Sequence, residues 1–353
     1  MKWEDNVRKV VPYVPGEQPR KENMIKLNTN ECPYPPAPGV VTALKEMDSS
    51  AFRLYPAPGA DSLIDALSEY YHVDKDQIFV GVGSDDVLAM SFLTFFNSEK
   101  PILFPDVTYS FYDVWADLFK IPYKVCELDQ DWHIRPDDYK QENGGVIFPN
   151  PNAPTGLYED LESVEEIIKA NQDVIVIVDE AYIDFGGESA LALIEKYDNL
   201  LVVQTFSKSR SMAGMRIGFA FGSKKLIKYL NDAKFSFNSY TMNMPSLVLG
   251  VESVKDREYF EKTVQKIITT RERVKIQLTE LGFTFPDSKA NFIFASHREI
   301  PAKEIFEALK EADIYVRYWN KPRINNSLRI SVGTDEEMDK LIAFLTQYIE
   351  KRK

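Results

Sequence analysis

Only two cysteines, Cys32 and Cys126, occur in the 353 residues. That excludes a disulfide framework and indicates a reducing compartment. No run approaches the roughly 18 uncharged apolar residues that a membrane-spanning helix needs. The opening MKWEDNVRKVVPY is charged and has no apolar segment of the kind a secretory signal carries. Basic side chains are outnumbered, 42 against 54 acidic ones, for a formal net charge of -12. Such a chain is ill suited to phosphate-backbone binding as its main task, so neither nucleic acid nor membrane is expected as a partner. A local basic pocket for a small anion stays open. No internal repeat, low-complexity tract or G-x-x-x-x-G-K-[ST] phosphate loop is present, and no metal site is expected. What these absences leave is a cytoplasmic globular protein. At this length the expectation is two domains, or one large α/β domain with a satellite.

Residues 1–47 are rich in proline, with VPYVPGEQP and NECPYPPAPG, and read as an extended arm ending in a short helix. A strand–helix rhythm follows over 48–245. Strands are expected at IFVGVG (78–83), PILF (101–104), VIF (146–148), DVIVIVD (173–179) and the LLVVQTF run that ends at Phe206. Runs without polar alternation are buried on both faces, as in a parallel sheet flanked by helices. From about residue 246 the pattern changes. One long charged helix, SVKDREYFEKTVQKIITTRERVKIQLTELG, precedes the strand ANFIFAS, the helix PAKEIFEALKEAD and the strands IYVRYW and LRISVG. A last helix opens on a capping box, Thr334 with Glu337. This mixture predicts a smaller α+β domain over 246–353.

In an open α/β sheet, ligands sit beyond the carboxyl ends of the strands, so each end was read for chemistry. After the first strand, Gly83-Ser84-Asp85-Asp86 feeds a helix whose free N–H groups suit a phosphate. A plain turn with Ser84 or Asp85 as the helix cap is the ordinary alternative. After PILF come Tyr109 and Tyr112, either packing at the rim or stacking on a planar ring. After VIF, PNPNAPTG (149–156) is a rigid turn that also offers asparagine amides. Asp179 directly ends an apolar strand, where a carboxylate needs a cation or donor; an ion pair or a cap would serve equally. Tyr182 follows within reach of the same ligand. After LLVVQTF come Ser207 and Lys208. Most such lysines are solvated loop charges. Held in an apolar cleft, however, a lysine becomes a usable nucleophile and base.

Taken together these ends specify one ligand: a planar phosphorylated ring with a protonatable nitrogen and an aldehyde. The glycine turn, Ser207 and Arg216 take the phosphate, and Gly214 lets the backbone turn tightly before Arg216. Asp179 takes the ring nitrogen, Tyr182 the ring oxygen and Lys208 the aldehyde. Pyridoxal 5'-phosphate is that ligand, with a lysine Schiff base and an acidic partner for its nitrogen.

With those residues in place, the chain resembles the fold type I pyridoxal-phosphate aminotransferases and, within them, the histidinol-phosphate branch. LNTNECPYPP, RLYPAPGADSLIDAL, GVGSDDVLAM, NPNAPTG, IVDEAYIDF, TFSKSRSMAGMRIG and LRISVGT look like family blocks in family order, across nearly the whole chain. The resemblance implies an α/β fold: a large domain with a mostly parallel seven-stranded sheet flanked by helices, plus a smaller α+β domain. It implies a ping-pong transaminase of histidine biosynthesis, acting between glutamate/2-oxoglutarate and histidinol phosphate/imidazole-acetol phosphate. Lys208 would be the Schiff-base lysine, with Asp179 and Tyr182 the other catalytic residues. Tyr109 would stack on the ring, while Ser84, Asp85, Ser207 and Arg216 hold the phosphate. Tyr55 would reach the phosphate of a neighbouring subunit, so a homodimer with shared active sites is implied. Arg329 would bind a substrate carboxylate, and Arg317, Tyr13 and Asn30 would also contact substrate.

One position departs from the family pattern N-P-x-N-P-T-G: Ala153 stands where an asparagine usually meets the ring oxygen. Either Asn152 swings in or Tyr182 serves that oxygen alone. Aromatic aminotransferases and a phosphothreonine decarboxylase are the alternative readings, because fold does not choose the substrate. A DNA-binding regulator fits poorly, since only about 47 residues precede the core-like pattern and the charge is -12.

Overall fold

The computed structural model describes residues 2–352. The first strand, β1 (Ile25–Leu27), belongs to a small sheet. The next seven are β2 (Ile78–Gly81), β3 (Ile102–Pro105), β4 (Tyr123–Cys126), β5 (Gly145–Pro149), β6 (Val176–Asp179), β7 (Leu200–Thr205) and β8 (Gly218–Gly222). They form one large sheet in the order β2-β8-β7-β6-β5-β3-β4. The last four, β9 (Phe283–Thr284), β10 (Phe292–His297), β11 (Ile314–Tyr318) and β12 (Leu328–Ser331), complete the small sheet as β1-β11-β12-β10-β9.

Within the large sheet β4, β3, β5, β6 and β7 pair in parallel, and only β8 runs against its neighbours β7 and β2. The carboxyl ends of β2, β3, β5, β6 and β7 therefore share one edge. Apolar side chains alternate between two faces, and helices bury both. Val80, Phe148, Val178 and Val202 enter one core, while Phe79, Ile147, Ile177 and Leu201 enter the other. That is why these runs lack polar alternation.

The small sheet packs Ile293 and Ile330 against Val274, Ile305 and Leu341 of its covering helices. A further cluster of Ala153, Tyr182, Phe185, Ile267, Phe292 and Val332 joins the two layers beside the strand ends. Thr334 and Glu337 form the expected capping box, with side-chain bonds of 3.2 and 2.8 Å.

Two expectations need correction. The long charged helix is two helices, Met244–Lys255 and Arg257–Glu280, broken at Asp256. The Asp256 carboxylate accepts from the N–H of Tyr259 at 3.1 Å, so the residue caps a new helix instead of continuing the old one. Four strands also went unforeseen, among them the short β1 and β9 of the small sheet. β8 reads GFAFG, whose glycines mask its strand character, and β4 is an edge strand of YKVC with three exposed residues.

Candidate active site

The site lies at the shared edge of the large sheet and is built strand by strand. Beyond β2, Gly83 adopts φ +85 and the Asp86 carboxylate accepts from the N–H of Val82 at 2.9 Å. This makes Gly83 the cap and starts the helix Ser84–Phe95, so Ser84 and Asp85 stand in its first turn and are not its cap. A Cβ on Gly218 of β8 would run into the backbone of Gly83 and Ser84, and one on Gly83 would press on the Arg216 guanidinium. Only glycines allow the phosphate-sized turn and Arg216 to approach this closely.

Arg216 itself is the left-handed residue of its turn, at φ +53. No atom lies within 4 Å of a Cβ on Gly214, so close packing does not demand a glycine there; the tight geometry falls on Arg216. The Arg216 guanidinium is half-exposed and its contacts are long: 3.2 Å to the Ala213 carbonyl, 3.3 Å to Asp85 and 3.5 Å to the Ser207 hydroxyl.

Asp179 ends β6 at 4% exposure. It accepts from the Tyr112 hydroxyl at 2.9 Å and the Ala181 N–H at 3.3 Å. Desolvation raises its carboxyl to about 6, and no lysine or arginine among the described residues pairs with it. Neither a helix cap nor an ion pair accounts for this carboxylate. Of the two loop tyrosines, Tyr112 is buried beneath Asp179. Tyr109 lines the cavity, its hydroxyl donating to Asp85 at 2.8 Å.

Lys208, just past β7, points its Nζ at the Thr29 carbonyl (3.2 Å), 5.8 Å from the centre of the Tyr182 ring. Tyr182 Oη lies 3.0 Å from Asn30 Nδ2. Ala153 lines the cavity but Asn152 does not. Both amide protons of Asn152 are committed, to the Val107 carbonyl at 3.0 Å and the Thr155 hydroxyl at 2.9 Å. The expectation that Asn152 swings in is therefore corrected: its donors brace the turn, and of the two residues only Tyr182 lines the cavity.

Two connected cavities result. The inner one, about 180 Å³, is walled by Ser84, Asp85, Tyr109, Asp179, Tyr182, Ser207, Lys208 and Arg216. The outer one, about 330 Å³, shares Thr29, Tyr109, Ala153, Tyr182 and Lys208 and opens past Tyr13, Arg317, Trp319 and Arg329. Tyr13 is anchored on Phe111 with ring centres 4.2 Å apart. Arg317 and Arg329 face each other as direct partners across β11 and β12, and no carboxylate among the described residues pairs with either. Like charges placed directly opposite are destabilising; here Arg317 donates to the Val14 and Pro15 carbonyls and Arg329 to that of Asn28.

Besides Asn152, Tyr55 is the predicted residue that lines neither cavity. It is 80% exposed, outside both cavities, and packs on Tyr240 at 4.6 Å. Sequence reading missed Asn28, Thr29, Trp319, Lys321 and Ser331. Trp319 and Ser331 sit in the quoted strand blocks beside arginines, the one signal that pointed to them.

Residues 22–345 match the family described as aminotransferase class I and II. The chain belongs to the class I and II aminotransferases. Curated relatives include the histidinol-phosphate aminotransferase of Lactococcus lactis subsp. cremoris (strain MG1363), 52% identical over 353 residues, 100% of this chain and 99% of that one. The enzyme of that name from Clostridium botulinum (strain Okra / Type B1) is 50% identical over 349 residues, 99% of each. Among solved structures, the histidinol-phosphate aminotransferase of Sinorhizobium meliloti in complex with pyridoxal-5'-phosphate superposes with a TM-score of 0.85 at 21% identity, covering 93% of this chain and 92% of that one. That of Clostridium acetobutylicum gives 0.86 at 22% identity, covering 93% and 100%. These structural likenesses establish the fold type I architecture for this aminotransferase. No helix among its described residues is long and apolar enough to cross a membrane.

Proposed function

We propose that this aminotransferase uses pyridoxal 5'-phosphate to exchange an amino group between glutamate/2-oxoglutarate and histidinol phosphate/imidazole-acetol phosphate; its relatives are named histidinol-phosphate aminotransferases, and one solved neighbour is a complex with pyridoxal-5'-phosphate. The observation that carries the reading is the pairing of an inner cavity fitted to the cofactor with an outer one holding two unpaired arginines between aromatic walls. The fit to the cofactor rests on this chain's own atoms. Asp179 is a buried carboxylate without a cation, suited to a protonated ring nitrogen. The start of the Ser84 helix, Ser207 and the loosely held Arg216 converge on space for a phosphate.

When bound, pyridoxal phosphate supplies an aldehyde that condenses with amines and a protonated ring that takes up the electrons of a breaking Cα–H bond. Lys208 would hold the cofactor by its aldehyde, and its amine would serve as base and acid for the substrate Cα proton. Asp179 would face the ring nitrogen and keep it protonated. Tyr182 would donate to the ring oxygen, and Tyr109 would wall the ring. Arg329 binds the α-carboxylate of glutamate, and Arg317 with Tyr13 receives the phosphate of the second substrate. One pocket thus serves both half-reactions in alternation.

The aromatic rim also suits an aromatic amino acid. A panel of acceptors with glutamate as donor, including imidazole-acetol phosphate and phenylpyruvate, decides. The reading predicts the highest kcat/KM for imidazole-acetol phosphate; a preference for phenylpyruvate would replace it.

Tyr55, together with exposed Phe52, Leu54 and Phe237, supports a homodimer in which Tyr55 reaches the phosphate of the partner's cofactor. Sedimentation should give twice the 40.5 kDa chain mass, and a monomer active on its own would refute the shared site. Residues 48–245 would form the cofactor domain and 246–353 the small domain, with 1–47 as the arm and part of the small domain, as the pairing of β1 with β11 supports. A cytoplasmic location accords with the biosynthetic role.

A further inference from the structure

The hydroxyl of Tyr182 has a single proton, and its surroundings decide where that proton points. Asn30 is 1% exposed and adopts a left-handed backbone, φ +56. Its N–H donates to Ser331 Oγ at 2.9 Å. Ser331 Oγ in turn lies 2.8 Å from Asn30 Oδ1, the one acceptor open to the Ser331 proton among the described residues. With Oδ1 so engaged, the atom that faces Tyr182 Oη at 3.0 Å is Nδ2, a donor. Reversing the amide would leave the buried Ser331 proton without an acceptor, an arrangement that buried hydroxyls avoid.

Tyr182 Oη therefore accepts from Asn30 and keeps its own proton free. No described residue accepts it: the charged groups around this ring are Lys208 and Arg329, which are donors, and Asp179, whose carboxylate is bonded to Tyr112 and Ala181. The remaining direction is into the cavity.

The segment carrying Asn30 is itself pinned from several sides. The Asn28 carbonyl accepts from Arg329 at 3.0 Å, that of Thr29 from Lys208 at 3.2 Å and that of Asn30 from Asn291 at 3.0 Å. Arg329 and Ser331 lie two positions apart on β12 and so share one face of the small sheet.

We propose that Asn30, oriented by Ser331, is a positioning residue that makes Tyr182 a committed hydrogen-bond donor to the ring oxygen of the cofactor, the task that Ala153 cannot share. This rests on the reading that Tyr182 faces that oxygen. It adds a second role to the expected substrate contact: Oδ1 of Asn30 is engaged by Ser331 and one Nδ2 proton by Tyr182, while the residue also lines the outer cavity.

The test is a pH titration of the visible absorption band of the holoenzyme. A bond donated to the ring oxygen favours its anionic form and holds the midpoint down, so losing that bond moves the midpoint up. Tyr182→Phe should raise it most. Asn30→Gly, which suits the left-handed backbone, should raise it by roughly 0.5–1 pH unit, the equivalent of one weakened hydrogen bond. Asn30→Asp keeps the size and backbone preference but turns the Tyr182 proton away from the cavity, and its shift should exceed that of Asn30→Gly. Added to Tyr182→Phe, Asn30→Gly should produce no further shift. The inference is overturned if Asn30→Gly and Asn30→Asp titrate like the unaltered enzyme while Tyr182→Phe shifts. It is equally overturned if Asn30→Gly keeps its full effect in the Tyr182→Phe background. If Tyr182→Phe itself leaves the midpoint unmoved, the placement of Tyr182 fails first and the inference goes with it.

Discussion

The inner and outer cavities share a wall but are built by different means. Most of the inner one comes from within a few residues of a strand end of the large sheet, Ser84 after β2, Tyr109 after β3, Asp179 closing β6, Ser207 and Lys208 after β7, with Thr29 and Glu31 of the arm closing one side. The outer one is assembled from distant pieces: Tyr13 and Asn28 from the arm, Arg317 and Arg329 from paired strands of the small sheet. Arg329 and Asn28, bonded at 3.0 Å, are 301 positions apart. Strand ends fixed by a buried sheet give the cofactor a rigid frame. An arm laid over a second sheet leaves the substrate end free to differ among relatives that share the frame.

The most damaging way to break that contrast is at Lys208. Lys208→Ala should remove the visible band of the bound cofactor and lower kcat by more than about 10⁴-fold for every substrate, because both half-reactions need the same amine. Loss for one substrate only would place the lysine in the outer cavity.

Arg329→Ala should discriminate instead. The kcat/KM for glutamate should fall by roughly 10²-fold or more, the cost of leaving a carboxylate without its arginine in a partly desolvated site. Histidinol phosphate has no carboxylate and should lose about tenfold or less. Equal losses for the two would show that Arg329 belongs to the shared frame.

The smallest effect is on stability and concerns the cofactor-free protein. Burial raises Asp179 from an ordinary 3.8 to about 6, so below pH 4 folded and unfolded chains are both protonated there. Between pH 4 and 6 the folded chain holds a proton that the unfolded chain has lost. Above pH 6 the buried charge costs on the order of 3 kcal/mol. Asp179→Asn should therefore make the apoprotein more stable than the unaltered chain at pH 8 in urea unfolding. The gap should close as the pH falls to 4. With pyridoxal phosphate bound the order should invert, because the carboxylate then has its cation. An apoprotein gap that does not change with pH would mean that Asp179 carries no burial penalty.

Much of the frame was legible because its chemistry is local. A continuous apolar run ending in Asp179, or followed by Ser207 and Lys208, reports both burial and the position of a charge at the strand mouth. Resemblance to a known family then supplied roles that spacing did not, including those of Arg317, Arg329 and Tyr13. Side-chain direction was not legible. Asn152 and Asn30 look alike in sequence as amides near proline turns. One braces the turn through Val107 and Thr155, while the other reaches Tyr182. Nor did spacing separate Tyr109 from Tyr112, which only the resemblance told apart; they differ in the face each presents once the loop after β3 is folded.

The sequence by itself determined the buried sheet and the placing of Lys208, Asp179 and Ser207 at its edge. These follow from hydrophobic runs, which act over a few residues. Only the tertiary structure decided that Arg317 and Arg329 oppose each other, that Asn30 reaches Tyr182 through an orientation set by Ser331, and that Asn152 turns away. Hydrogen bonds are directional and short, so whether two side chains meet depends on where whole sheets and the arm come to rest.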